Sequence, residues 1–418
     1  MPEDATLPLE DPPRLRPVEA IPVGSGSERR IWLRDSADRD LPPVALSDAA
    51  VALLSLLDGS RTVDEIARRV GGDGGPAPAE VRAFLEQLDR AGYLEGPRAR
   101  ARQTQRAQVY QQRPVRVAVH AGGAYPDGAS ELPAFLAAGY LAPEGPGSLP
   151  GARGDRPPPR GVIAPHVDLH RGAQTYSWAY RELAESQPAD LYLVLGTSHL
   201  PVVGHFAATR KPYDTPLGTI PNDLEFVDRL QRLWGSDLYR GELAHAGEHS
   251  IEFQAVYLRS LGVAGEGAAP MVPILCGSLH SLVLPPHTPR DVAQVADFVA
   301  ALRTAIRGDG RRITVIAAVD LAHVGRQFGD AWLTDIERMA WVNRDDRAML
   351  ELVAAGDAVG YFQQVLQDGD ARRICGFTPM YLLTELLGEA AGGELLKYTQ
   401  WVAPDLSSSV TFAAMLFR

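Results

Sequence analysis

The pattern of apolar and polar positions changes character along the chain, and its two parts predict different folds. From residue 160 onward, short apolar runs recur with little polar alternation: "GVIAPH", "LYLVLGTSH", "MVPILCGS", "ITVIAAVDLAH" and the terminal "SSVTFAAMLF". Runs of that length and kind predict strands with both faces buried. Between them lie stretches with helical periodicity, such as "AQTYSWAYRELAES" and "DVAQVADFVAALRTAIRG". The alternation predicts an α/β domain whose mainly parallel sheet is flanked by helices. "VRVAVHAGGAYP" reads as an earlier strand and turn of the same domain. The Pro/Gly-rich residues 142–160 are therefore expected as a long internal loop, within a domain spanning 114–418.

The first quarter of the chain is patterned differently. Residues 1–25 are acidic and Pro-rich, which predicts a disordered or extended lead-in. Over 26–97, "RRIWLRD" reads as a short strand, and "SDAAVALLSLLDG" as a helix capped by Ser47 and stopped by Gly59. "TVDEIARRVGG" repeats the device, with Thr62 as cap and Glu65 three residues on. "APAEVRAFLEQLDRAGYLEG" gives a third amphipathic helix. Three short helices with small strands predict a winged-helix-like α+β domain. Residues 98–113, basic and Gln-rich with no clear apolar period, predict a linker or a solvated helix.

Composition narrows the function classes. The 418 residues carry a net charge of −11, which argues against a nucleic-acid partner. No apolar run is long enough to span a membrane. The acidic, Pro-rich start is the opposite of a signal peptide, and the two cysteines, Cys276 and Cys375, form no disulfide framework. A cytoplasmic location is expected. No GxxxxGK[ST] motif is present, so a nucleotide-phosphate cradle is unsupported.

Candidate chemistry concentrates where the apolar runs end. Of ten histidines, His166, His199 and His323 close strand candidates. Ligands of open α/β sheets sit outside the carboxyl ends of the strands, so these imidazoles are expected to converge. "AGEHSIEFQAVYLRSL" predicts a helix starting near His249, with Glu248 and Glu252 one turn apart. In "RRICGFTPM", Arg372 and Arg373 would favour a thiolate at Cys375 if they point inward. Each residue has a plainer reading: a hydrogen-bonded histidine, a small buried cysteine, Asp320 or Ser198 capping a turn. Taken together, two imidazoles and a thiolate suit a transition metal with positions left open for other ligands. A serine-hydrolase reading of "GTSHL" fails, because Leu200 stands where the nucleophile elbow needs glycine.

Two resemblances extend this picture. Through "LLSLLDGSRTVDEIA" and "VRAFLEQLDRAGYLE" the N-terminal part resembles the PqqD-like family. That resemblance implies a peptide or protein partner laid along an exposed strand edge. Residues 114–418 resemble the Memo family, in its bacterial form AmmeMemoRadiSam system protein B. The motifs, all in the family's order, are "AGGAYP", "IAPHVDLHRG", "LGTSH", "TPLG", "HSIEFQ", "DLAHVG" and "CGFTP". The resemblance implies a fold similar to class III extradiol dioxygenases and a metal pocket of His166, His199 and Cys375. His249, His323 and Asp320 would line it as acid–base groups. Cysteine stands where those dioxygenases have a carboxylate ligand, so ring cleavage does not transfer. Val167 and Asp168, with His170 beyond, depart from the family's usual small residues, and Asp168 would add a carboxylate near the cation. The expected function is a metal-dependent oxidoreductase acting on a small molecule, using Fe(II), with copper or zinc as alternatives. The alternative is a non-catalytic metal-binding or partner-recognition protein working with a radical-SAM protein and an AMMECR-like protein.

Overall fold

The computed structural model describes residues 8–23, 30–35, 41–71, 75–262, 269–280, 282–283, 287–388 and 392–418. The chain divides into two compact units, Met1–Arg113 and Pro114–Arg418.

The first unit holds strands β1 (Glu19–Val23), β2 (Arg30–Arg34) and β3 (Val44–Ser47), and helices α1 (Asp48–Leu54), α2 (Val63–Val70), α3 (Pro78–Arg90) and α4 (Pro97–Gln112). Its strands form an antiparallel sheet in the order β1-β2-β3. The expected cap of α2 is present in full: Thr62 N–H donates to Glu65 Oε2 at 2.8 Å, and Glu65 N–H donates to Thr62 Oγ1 at 3.3 Å. Ser47 precedes α1 but makes no side-chain cap, and that helix ends at Leu54, before Gly59. Val81, Leu85 and Leu88 of α3 bury one helical face against Leu33, Leu46 and Ile66.

The lead-in is partly ordered. β1 lies inside it, and Arg14 and Leu15 bridge to Asp58 and Leu94. Residues 1–7 and 24–25 of that expectation lie outside the described residues. Residues 98–112 belong to a solvated helix, α4, in which Tyr110 is the buried residue.

The second unit begins with α5 (Leu132–Leu141), β4 (Gly161–Ala164), α6 (Leu169–Glu185), β5 (Leu191–Thr197) and β6 (Phe206–Ala208). It continues with α7 (Leu224–Trp234), α8 (Ser250–Ser260), β7 (Met271–Cys276), α9 (Ala293–Arg307), β8 (Ile313–Ala318) and β9 (Asp320–Val324). Helices α10 (Ile336–Ala354), α11 (Ala358–Leu366) and α12 (Phe377–Leu387) precede strands β10 (Gly393–Val402) and β11 (Ser409–Phe417). The sheet order is β10-β11-β4-β8-β5-β7-β6, with β9 paired to β11. Its centre, β4-β8-β5-β7, is parallel, and the outer pairings are antiparallel.

Alternation along β5 explains its continuous apolar run. Leu191, Leu193 and Leu195 enter one core with α7, α9 and α12, while Tyr192 and Val194 enter the other with α6 and α8. No described helix is long and apolar enough to cross a membrane.

Two strand expectations change. "ITVIAAVDLAH" is two strands, because the chain leaves the parallel ladder at Val319 and β9 pairs antiparallel with β11. "VRVAVHAGGAYP" forms only isolated bridges, Arg116 with Tyr213 and Ala121 with Tyr125. Its Arg116 and His120 side chains are buried instead against Glu252 of α8.

One close approach positions the site. A Cβ on Gly196 would stand 2.4 Å from Ile251 Cγ1 and 2.7 Å from Ser250 Oγ. Glycine at the end of β5 thus lets the first turn of α8 lie against the strand, and Ser250 Oγ donates to Thr197 O at 2.7 Å. Gly196→Ala forces strand and helix apart. Urea unfolding should show a loss of about 1–3 kcal/mol, as for overpacked cores. A change below about 0.5 kcal/mol, the range of an ordinary surface substitution, would contradict the close packing.

Candidate metal centre

β8 lies between β4 and β5 in the sheet, so the carboxyl ends of all three strands open onto one place. His166 follows β4, His199 follows β5, and Ala318 and Asp320 come from the end of β8 and the start of β9. α8 brings a third imidazole, with His249 at its N-cap position. Ring centroids of His166 and His199 are 5.1 Å apart, those of His166 and His249 5.4 Å, and those of His199 and His249 4.7 Å. One ring nitrogen from each lies within 4.8 Å of the others. His166 is buried, while the His199 side chain is 40% exposed, so the site opens on the His199 side.

The partners of the rings decide which nitrogen is free. His166 Nδ1 is 3.0 Å from Ala318 O, and a carbonyl only accepts, so Nδ1 donates. His199 Nδ1 lies 3.1 and 3.2 Å from the two oxygens of Glu248, and His249 Nδ1 lies 3.2 Å from Oε1. Glu248 also accepts the backbone N–H groups of His199, His249 and Ser250. Burial pushes its pKa up, but the His199 and His249 rings outweigh this and hold it well below the usual carboxylate range. The acceptor is therefore ionised, and each imidazole that donates through Nδ1 keeps its lone pair on Nε2. The three-ring set, with the lone pairs of His166 and His199 so fixed, suits a transition-metal ion.

Protons are kept off two of these rings, His166 and His249. Burial first, and then the neighbouring His199, lower the His166 pKa to about 3. Burial also lowers His249, against the pull of Glu248 and with added repulsion from His199 and His166. At neutral pH both rings are free bases.

The other expected residues are placed as follows. Cys375 Sγ is 3.2 Å from His166 Nε2 and 3.5 Å from Asp320 O. It adjoins the three-nitrogen set without belonging to it. Arg372 and Arg373 do not favour its thiolate, because Arg372 is paired with buried Asp346 and Arg373 with Asp330. Burial, followed by the Asp320 charge, pushes the Cys375 pKa well up. Asp320 accepts the His166 N–H through Oδ1 at 2.9 Å, and its Oδ2 is 3.6 Å from His166 Nε2. Burial raises the Asp320 pKa to about 6. His323 sits within β9, its Nδ1 3.1 Å from Leu321 O and its ring edge-on to Phe328. Burial lowers its pKa against the attraction of Asp320.

Asp168 is occupied elsewhere. Its carboxylate caps α6 through Arg171 N–H and pairs with the Arg171 guanidinium at 2.7 Å. His170 packs against Phe135. Ser198 Oγ donates to Leu200 O, a local turn contact.

Sequence reasoning missed the roles of Glu248 and His120. Glu248 was visible only as a carboxylate one turn from Glu252. His120 was hidden in a segment read as strand and turn. Their partners lie 49 and 132 residues away, and no local periodicity reports such pairings.

Comparison with known proteins agrees with this architecture. A family model described as "Memo-like protein" matches residues 116–416. The chain is 26% identical to a MEMO1 family protein of Aquifex aeolicus over 409 residues, 97% of this chain and 99% of the relative. It is 30% identical to one of Methanopyrus kandleri over 308 residues, 71% of this chain and 97% of the relative. A third, from Thermus thermophilus, is 29% identical over 330 residues, 79% and 90% of the two chains. The alignment with the Aquifex protein takes in the N-terminal unit as well, whereas the family model begins at residue 116. The chain belongs to the Memo-like, or MEMO1, protein family.

Proposed function

We propose that this protein is a metal-dependent oxidoreductase acting on a small molecule, with the ion held by the Nε2 atoms of His166, His199 and His249. The observation that carries the reading is the gathering of one ring nitrogen from each of three imidazoles within 4.8 Å of the others, with Nδ1 of His166 and of His199 committed to acceptors. Cys375 and Asp320, both beside His166 Nε2, supply a soft and a hard donor at the same edge. Imidazole with carboxylate suits Fe(II), and imidazole with thiolate also suits copper and zinc. Fe(II) is the preferred ion. A bound iron would supply redox chemistry with dioxygen as oxidant. The protein's own part is to keep the His166 and His249 rings neutral, orient His166 and His199 through Ala318 and Glu248, and leave the His199 side open to a ligand.

Metal analysis of anaerobically purified protein tests this directly. Wild type should hold about one iron per chain, and His166→Ala, His199→Ala and His249→Ala should each abolish stoichiometric uptake. Metal at one hundred times its Kd should raise wild-type unfolding stability by about 2.7 kcal/mol and leave the three variants unchanged. Unaltered uptake in any of the three would overturn the assignment. Glu248→Gln replaces the acceptor of the His199 imidazole by a group that must also donate. Its metal affinity should fall about 10–100-fold, as for other groups that orient metal-bound histidines.

A second reading is favoured by a separate observation in the first unit. A cavity of about 1030 Å³ lies between edge strand β3 and helices α1 and α3, lined by Leu46, Leu53, Val70, Val81 and Phe84. An extended peptide segment would add a strand at the β3 edge and seat apolar side chains in this groove. The radical-SAM and AMMECR-like proteins implied by the family resemblance are the partners to test. Calorimetric titration should show one of them binding wild type and losing at least ten-fold in affinity against Phe84→Asp. Equal binding by the two forms would remove this reading.

A further inference from the structure

α8 carries His249 at its N-cap and, further along, the fully buried amide of Gln254. Burying a primary amide costs free energy unless its donors and its acceptor find partners. Those of Gln254 do. Nε2 donates to Pro165 O at 2.7 Å and to Ser250 O at 3.1 Å, while Oε1 accepts the Tyr180 hydroxyl at 2.7 Å. Carbonyls only accept, so the nitrogen must face Pro165 and Ser250, and the partners settle the orientation of the amide. Tyr180 is itself buried in α6 and stacked on Tyr257 of α8, with centroids 4.6 Å apart and planes at 21°.

The bond to Pro165 reaches 89 residues back along the chain, to the peptide that joins β4 to His166. Proline has no N–H, so the carbonyl is its one polar backbone group. The residues that follow are anchored from other directions. The His166 N–H donates to Asp320 Oδ1 at 2.9 Å, its Nδ1 to Ala318 O at 3.0 Å, and Tyr176 of α6 donates to Val167 O at 3.0 Å. Of these anchors, Gln254 is the one that ties the His166 segment to the helix bearing His249.

We infer that Gln254 is a positioning residue of the metal centre: its hydrogen bond to Pro165 O fixes the separation of the His166 and His249 rings, 5.4 Å between centroids. The inference rests on the three-imidazole reading and adds to it the group that spaces two of the ligands. Gln254 acts through the backbone and not as a ligand. Residues of similar size cannot replace it, since methionine has no donor and an ionised glutamate would set an oxygen against two carbonyl oxygens. Ligand groups must be held within about 0.5 Å of their working geometry, so releasing the Pro165 peptide weakens the hold on the ion.

Gln254→Met in the full-length chain tests this. Hydrogen exchange of the metal-free protein reads the backbone: the His166 N–H should exchange about ten-fold faster than in wild type, with the amides of β4 unchanged. A residue serving stability alone would speed both alike. Titration with Co(II), followed by its absorption spectrum, reads the site: affinity should fall about 10–100-fold and the spectrum of the bound ion should shift. Should Gln254→Met not fold, Tyr180→Phe, which removes the hydroxyl that fixes the amide, should give the same changes at smaller size. The inference is overturned if His166 exchange is unchanged, if it rises only together with that of β4, or if Co(II) binds the variant with wild-type affinity and spectrum. Failure of wild type to take up Co(II) is distinguishable from these results: it removes the metal reading, and this inference with it.

Discussion

A single buried carboxylate ties together the two elements that make this site. Glu248 precedes α8, yet it accepts the backbone and ring N–H groups of His199, which follows β5, as well as the backbone N–H of His249, whose Nδ1 lies 3.2 Å from Oε1. Were it protonated or absent, the His199 ring would lose its acceptor and its choice of tautomer would be undetermined. Buried carboxylates are stable as ions only when their acceptor sites are filled. Here the donors that fill them are the same groups that must be oriented, so stability and orientation come from one set of bonds.

The sheet makes this convergence inexpensive in chain. Parallel β4, β8 and β5 deliver His166, Ala318 and His199 at adjacent carboxyl ends, and Gly196 allows α8 to close on β5 without a side chain between them. The loop carrying Cys375 is laced to β9: Gly376 N–H donates to Asp320 O, and His323 N–H donates to Arg372 O at 2.7 Å. Buried Asp346 fixes Arg372 from the opposite side. The thiol is therefore held beside His166 by backbone contacts, and its environment favours the protonated form.

How much of this was legible in the sequence depended on distance along the chain. The strands that end at His166 and His199 announced themselves as apolar runs, because a parallel strand covered on both faces cannot alternate. The α2 capping box was readable in the same way, since Thr62 and Glu65 are three residues apart. The strand break at Val319 was not readable, because the apolar run continues through it and only pairing with β11 separates β8 from β9. The β1 strand was obscured by an acidic, Pro-rich composition, as its order comes from pairing with β2. His249 was placed correctly at a helix start, but its partnership with His199 depends on Glu248. The arginines next to Cys375 suggested a thiolate, and their carboxylate partners, Asp346 and Asp330, lie 26 and 43 residues away. Local pattern identified the elements and most of the polar groups at their ends. Long-range pairing decided what those groups do.

The central claim is that three imidazoles bind one ion through Nε2, leaving three protonated Nδ1 atoms remote from it. Pulsed electron paramagnetic resonance on the Cu(II)-loaded full-length chain reads those remote nitrogens directly. The account predicts modulation from three imidazoles in wild type and from two in His249→Ala if that variant retains any copper. Modulation from only two imidazoles in wild type would contradict it, and would point to a site of His166, His199 and Cys375 instead.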